Sequence, residues 1–166
     1  MKTTNLNKIK HKICNISELK DRIKKWRFNE EKIVFTNGCF DLVHRGHIEV
    51  LANIADLGDR LIIALNTDNS IQKLKGNNRP IIDENSRSVL LSALEFVDAI
   101  IFFSEETPEK IIQNILPDIL AKGGDYSIEE IAGHDVVLNN GGKVLITPLI
   151  DGYSTSSIIQ KIIKNQ

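Results

Sequence analysis

At 166 residues, with 42% hydrophobic and 26% charged residues, the chain has the makeup of one soluble globular domain with a sizeable core. A formal net charge of −1 excludes the global basic field that draws proteins to nucleic acid or anionic membranes, so a polyanion must be held by a local cluster of Lys, Arg and His. Cys14 and Cys39 form neither a CxxC pair nor a disulfide framework, no apolar run reaches membrane-spanning length, and MKTTNLNKIKHKI lacks the apolar core of a signal peptide; a cytoplasmic protein with free thiols is expected.

The first dozen residues are polar and lysine-rich without a period, and read as a frayed leader. Ile16, Leu19, Ile23 and Trp26 then share one helix face, with Ser17 as the expected cap. Residues 1–30 are thus read as a tail and an extra helix ahead of the main unit, residues 31–166. Ile33-Val34-Phe35 predicts a buried strand that breaks at Thr36-Asn37-Gly38, and a helical period follows through Ile48, Leu51, Ile54 and Ala55, stopped by Gly58. Leu61 to Leu65 is a second apolar run without alternation, as expected of a strand covered on both faces. A short helix reaches Leu74. Lys75-Gly76-Asn77-Asn78-Arg79-Pro80 reads as an exposed loop, and Asp83 as the cap of a helix whose face is Val89, Leu90, Leu94 and Val97.

Ala99 to Phe103 is a third strand, and Thr107-Pro108-Glu109 has the form of a helix start, with a cap, a proline and an acidic first turn. Ile119 to Lys122 is a fourth strand. Ser127 with Glu130 reads as a capping box opening a short helix to Ala132, and another helix spans Asp135 to Asn139. Lys143 to Pro148 is a fifth strand, and a last helix starts near Ser154 to Ser156. Alternation of this kind predicts an α/β fold: one Rossmann-like domain with a parallel five-stranded sheet flanked by helices. Ligands in such sheets bind at the carboxyl ends of the strands, which gathers TNGCFDLVHRGH, NTDN, SEETPE, KGGDY and IDGYSTSS at one edge.

The best-known phosphate and nucleophile fingerprints, GxxxxGK[ST], GxGxxG after the first strand and GxSxG, are absent. What stands after the first strand is His44-Arg45-Gly46-His47. Unpaired N–H groups at a helix start favour an anion, and histidines at i, i+3 reach the same one. Zinc on Cys39, His44 and His47 is the rival reading, but it lacks a fourth ligand, and no metal site is assigned to the protein. Lys75 alone reads as a solvated loop lysine, Arg79 as a residue shaping a turn, and Arg87 as a partner of Asp83 and Glu84 or of a phosphate. Asp41 could orient a histidine, bind an acceptor or cap the helix. Asp125 could accept from ribose hydroxyls or cap a glycine turn, and Asp68 is a lesser candidate. His11 and His134 read as surface residues.

The tetrad after TNGCFD resembles the HxGH signature of the nucleotidylyltransferases, and Tyr153-Ser154-Thr155-Ser156-Ser157 resembles their second, a hydroxyl cluster opening a helix. TNGCFDLVHRGH, LKGNNRPI, LSALEFVD, ILPDILAKGGDY with EEIAG, and DGYSTSSII are together similar to the family that makes ADP-activated heptose from D-glycero-β-D-manno-heptose 1-phosphate, covering nearly all of residues 32–161. The resemblance implies in-line attack of the sugar 1-phosphate on the α-phosphorus of ATP, with pyrophosphate leaving and no covalent enzyme intermediate. It implies catalytic roles for His44, His47 and Lys75. Nucleotide or phosphate contacts are implied at Thr36, Asn37, Gly38, Cys39, Phe40, Gly46, Asp125, Ser154, Thr155 and Ser156. Acceptor contacts are implied at Asp41, Arg79, Arg87, Lys122, Gly123, Gly124 and Tyr126. Mg²⁺ is expected with ATP, held through phosphates and water. No nucleic-acid or membrane partner is expected. A homodimer is expected from family habit and the N-terminal helix, and a separate kinase is expected to supply the sugar phosphate for lipopolysaccharide core or another surface glycan. A cytidylyltransferase acting on glycerol 3-phosphate or a related polyol or sugar phosphate shares both signatures, and a nucleotide-binding module without catalysis is the alternative of another class.

Overall fold

The computed structural model describes residues 3–165. Five strands form one all-parallel sheet: β1 (Ile33–Gly38), β2 (Arg60–Asn66), β3 (Ala99–Phe103), β4 (Ile119–Gly123) and β5 (Lys143–Thr147), in spatial order β3-β2-β1-β4-β5. The helices are α1 (Asn5–His11), α2 (Ile16–Phe28), α3 (Arg45–Ala55), α4 (Asp68–Lys75), α5 (Glu84–Ser92), α6 (Glu109–Ile115), α7 (His134–Asn139) and α8 (Thr155–Lys164), with a 3₁₀ turn at Ile128–Glu130.

The unbroken apolar runs follow from burial of both sheet faces. Ile33, Phe35, Ile62 and Ala64 point to one face and pack with Leu19 and Ile23 of α2 and Ile112 and Ile115 of α6. Val34, Leu61, Ile63 and Leu65, one residue out of step, point to the other and pack with Leu51 and Ile54 of α3 and Leu91 of α5. Each such Ile or Leu, fully buried, contributes about 1.5–3 kcal/mol relative to exposure.

Several boundaries differ from the sequence reading, each for a physical reason. Residues 4–14 are ordered. Thr4 caps α1, and Lys12 to Cys14 lie along the outer edge of β3, where Cys14 N–H donates to Ile100 O at 3.0 Å and Ile100 N–H donates to Lys12 O at 2.9 Å. α1 buries no residue, so its sequence carries no apolar period; its anchor is the edge pairing that follows it. α2 is capped by Asn15 rather than Ser17, in a reciprocal capping box with Glu18 at 2.9 and 3.0 Å. β1 continues through Thr36-Asn37-Gly38, which pair with Ile63 to Leu65. Lys75 is the last residue of α4 rather than a loop residue. α5 buries Arg87, Ser88, Leu91 and Ser92; of the expected face Leu90 is exposed, while Val97 is buried and Leu94 packs on the core, both beyond the end of the helix. Pro108 occupies the N-cap of α6 without a side-chain cap, and Pro148 lies beyond β5.

Candidate active site

Strand order reverses beside β1, whose neighbours are β2 and β4, and at the carboxyl ends of these strands a cavity of about 830 Å³ opens. Its walls include Thr36, Asn37, Gly38, Cys39, Phe40 and Asp41 from the end of β1, then His44, Gly46 and His47. Lys75 and Arg79 lie after β2, Lys122, Gly123 and Tyr126 at the end of β4, and Ser154, Thr155 and Ser156 at the start of α8. Segments distant in sequence therefore converge as the edge rule predicts. Arg87, Gly124 and Asp125 do not line the cavity.

His44 is the N-cap of α3. Its backbone is extended (φ −140°, ψ 171°), and its Nδ1 accepts from the His47 N–H at 3.4 Å. The two imidazoles stack with centroids 3.8 Å apart and planes 23° apart, and the edge of Phe40 packs 5.4 Å from His47. Burial, then the facing His44, pushes the His47 pKa down to about 4, and burial lowers that of His44. The buried Nδ1 of His47 has no well-aligned hydrogen-bond partner, although the Leu42 backbone exerts an upward pull on its pKa. Lys122, at the end of β4, donates from Nζ to the Asn37 carbonyl at 2.9 Å and to Asn37 Oδ1 at 3.1 Å, and burial lowers its pKa too. Neither Lys75 nor Lys122 is ion-paired among the described residues. Positive charge is crowded and underneutralised here, and an entering anion relieves both effects.

The acidic and arginine candidates have other engagements. The buried Asp41 carboxylate accepts from the Ile81 and Ile82 N–H groups at 2.7 and 3.0 Å, and its Oδ2 lies 2.8 Å from Arg79 Nε as an ion pair whose N–H is not aligned on it. Asp41 thus holds the segment after α4 against β1, and Arg79 neutralises it. Arg87 is fully buried and donates to the carbonyls of Ile82 (3.0 Å), Cys39 (2.6 Å) and Asn66 (2.8 Å) and to Asp68 Oδ1 (2.7 Å). Four of its five N–H groups are occupied and none of its surface is exposed, so the expected acceptor contact is replaced by a brace beneath the cavity floor, and Asp68 is its counter-ion rather than a ligand group. Asp125 is solvent-exposed, outside the cavity. Gly124 has φ +140°, and a Cβ there would meet the Tyr126 ring at 2.5 Å, so this glycine shapes the turn that sets Tyr126 in the wall. His134 is half-buried at the start of α7, with Nδ1 3.1 Å from the Ile131 carbonyl.

Of the wall residues, Asn66, Glu106, Ile150 and Tyr153 fall in segments the edge rule gathered without giving them a role, and Phe103 and Leu149 were not singled out at all. Asn66 and Phe103 end β2 and β3, and Leu149 lies just past β5, so extending the edge rule to the last strand residue and the first residues after it would have flagged all of them. Among the described residues no group of three or more His, Cys, Asp or Glu is placed to hold a metal ion.

A titration follows from the burial of the imidazoles. In the free protein the His47 ring, followed by NMR, is expected to gain its proton only near pH 4, with Lys75 and His44 as the facing cations. Added tripolyphosphate should raise that pKa. The complex then holds more protons than the free protein between the two values, so binding tightens as pH falls through the bound-state pKa and levels off below about 4. An unliganded His47 titrating near its ordinary 6.5 would contradict this electrostatic picture.

The cytidylyltransferase-like family model matches residues 35–161. The bifunctional protein HldE of Actinobacillus succinogenes is 51% identical over 150 residues, covering 90% of this chain and 32% of that protein; HldE of Citrifermentans bemidjiense is 47% identical over 154 residues, covering 93% and 32%. The chain spans about a third of the length of these curated relatives. A crystal structure of the lipopolysaccharide core biosynthesis protein from Thermoplasma volcanium is 32% identical, with a TM-score of 0.58, covering 75% of this chain and 99% of that one. Pantoate-beta-alanine ligase from Francisella tularensis, 14% identical with a TM-score of 0.60 and covering 92% and 77%, shares the fold. With HxGH at the start of α3, hydroxyls at the start of α8 and a family match running from β1 into α8, the chain belongs to the cytidylyltransferase-like family of nucleotidyltransferases.

Proposed function

We propose that the protein transfers AMP from ATP to D-glycero-β-D-manno-heptose 1-phosphate, releasing pyrophosphate and ADP-heptose. The observation that carries nucleotidyl transfer is the stacked His44–His47 pair sharing one cavity with Ser154, Thr155 and Ser156. The heptose acceptor draws support from the relatives, bifunctional HldE proteins matching about nine-tenths of this chain and a lipopolysaccharide core biosynthesis protein.

In this reading the enzyme supplies position and charge rather than a nucleophile. A phosphate oxygen of the sugar attacks the α-phosphorus, the bond to the bridging oxygen of pyrophosphate breaks, and negative charge grows on the β-phosphate. His44 and His47 donate to the oxygens that gain charge. Thr155 and Ser156 hold the β- and γ-phosphates, and Lys75, exposed at the end of α4, closes over the triphosphate. Thr36 to Phe40 and Gly46 line the nucleotide, Lys122, Gly123 and Tyr126 face the reacting end, and Arg79 with Asp41 shapes the acceptor side. Asp125 is kept as a ribose contact that requires its exposed turn to swing inward. Mg²⁺ would come with ATP and would neutralise phosphate charge; among the described residues the carboxylates in the cavity wall are Asp41, spent on Arg79 and two backbone N–H groups, and Glu106, which suits an ion carried by phosphates and water. No described helix is long and apolar enough to cross a membrane, and we place the reaction in the cytoplasm, with a kinase supplying the sugar 1-phosphate.

ATP, CTP and GTP offered with a panel of sugar and polyol phosphates, read by pyrophosphate release and product mass, test the assignment. ATP with heptose 1-phosphate is expected to turn over fastest. Turnover with CTP and glycerol 3-phosphate, and none with ATP and heptose 1-phosphate, would replace this reading by the cytidylyltransferase one.

A further inference from the structure

The two halves of the triphosphate site lie on separate elements, and little packing joins them. None of the residues of α8 is buried: Ile158 and Ile159 are half-covered, and Ile162 and Ile163 are 54% and 65% exposed. Core burial therefore does not fix where the first turn of α8 sits. Contacts just before that turn do, with Ile150 packed on the core and Tyr153 joined to α3. Tyr153 Oη accepts from Arg45 Nη1 at 3.1 Å, the Arg45 guanidinium lies 5.5 Å from the Tyr153 ring centroid, and that ring stacks toward His44 at 6.3 Å and 26°. Glu49, one turn along α3, accepts from Arg45 Nε and holds the guanidinium in place. Gly46 completes the fit, because a Cβ there would meet Tyr153 Cβ at 2.8 Å and the His44 ring at 3.2 Å.

We infer that Tyr153 and Arg45 form a latch that docks the start of α8 against the histidine pair, which makes both of them positioning residues for triphosphate capture. The inference rests on reading this cavity as a triphosphate site, and adds that the variable residue inside the HxGH tetrad and the residue before the hydroxyl cluster work as one unit. Side-chain chemistry suits both halves of such a latch. Tyrosine offers a flat ring to histidine and an acceptor to arginine, and arginine bonds in plane while stacking on a ring. Neither touches a reacting atom; both act through Ser154, Thr155 and His44.

The experiment is a double-mutant cycle on Arg45→Ala and Tyr153→Ala, with Tyr153→Phe as the conservative variant. It is read by inorganic tripolyphosphate binding, by hydrogen exchange at amides 154–158, and by kcat and KM for ATP. Each alanine substitution is expected to weaken tripolyphosphate binding and raise KM about tenfold, the scale of one cation–π contact plus one hydrogen bond, with kcat changed less. Tyr153→Phe, keeping the ring, should recover most of the loss. The double variant should be no worse than Tyr153→Ala alone, and exchange at 154–158 should quicken while the sheet amides keep their protection. Additive effects, or unchanged exchange at 154–158, would overturn the latch. Tripolyphosphate carries neither base nor sugar, so a failed heptose assignment leaves this result standing, and a failed latch leaves the substrate panel untouched.

Discussion

His44→Ala and His47→Ala are each expected to lower kcat by about 10²–10³-fold, the usual loss for one preorganised donor to developing charge, with the ATP dissociation constant changed by less than about tenfold. The asymmetry follows from where charge appears. In the proposed ground state Lys75 and the hydroxyls of Thr155 and Ser156 face the triphosphate, with Lys122 at the reacting end, so one imidazole is a modest part of binding. In the transition state the leaving pyrophosphate gains charge, and in the proposed reaction the stacked pair meets it. Stacking at 3.8 Å also ties the two rings together: His44 Nδ1 accepts from the His47 N–H, so deletion of His44 removes a donor and a helix cap at once. His44→Ala should therefore also destabilise the fold by about 1 kcal/mol. Single-turnover measurements beside equilibrium nucleotide binding separate the two effects. Equal losses in binding and rate would assign the histidines to ground-state binding instead.

Arg87→Ala should act on stability rather than on substrate affinity. A guanidinium with no exposed surface, bonded to three carbonyls and one carboxylate, joins the end of β1 through Cys39, the end of β2 through Asn66, α4 through Asp68 and the following loop through Ile82. Removing it leaves three carbonyls without this donor and the Asp68 carboxylate unpaired. The expected cost is about 3–5 kcal/mol, which at roughly 2–4 °C per kcal/mol for a chain of this size lowers Tm by about 6–20 °C. Thermal unfolding with and without tripolyphosphate gives the check. An unchanged Tm with a raised KM for the sugar phosphate would return Arg87 to the acceptor role its sequence context allows.

Arg87 also shows where sequence reasoning stops. Strands, crossovers and the ligand-bearing edge were legible because burial on both sheet faces leaves apolar runs, and because parallel strands deliver their following loops to one side. His44, Gly46, His47 and the cluster at 154–156 were legible because their types and spacing have local meaning. Arg87 was not, since an arginine on a helix after Asp83 and Glu84 reads as their partner or a phosphate's until its four acceptors are known. Those acceptors lie up to 48 residues away. Asp41 misled similarly: adjacency to the tetrad favoured a ligand role, yet its carboxylate closes a loop 40 residues on. α1 went unseen because pairing of the next residues with β3, 86 positions later, anchors it rather than an apolar period.

The Arg45–Tyr153 contact spans 108 residues, and its second half lies at the start of the last helix. Translation therefore delivers the tetrad long before its counterpart. At about 5–20 residues per second, a chain that has formed β1 through β4 waits several seconds before the hydroxyl cluster follows. Over that interval it has an imidazole pair, Lys75 and a partial sheet, but not the hydroxyls proposed to hold the outer phosphates. Competence for catalysis should appear only after Tyr153 and the hydroxyls that follow it have joined the fold, and a released chain truncated before Tyr153 should bind tripolyphosphate poorly even with its strands in register.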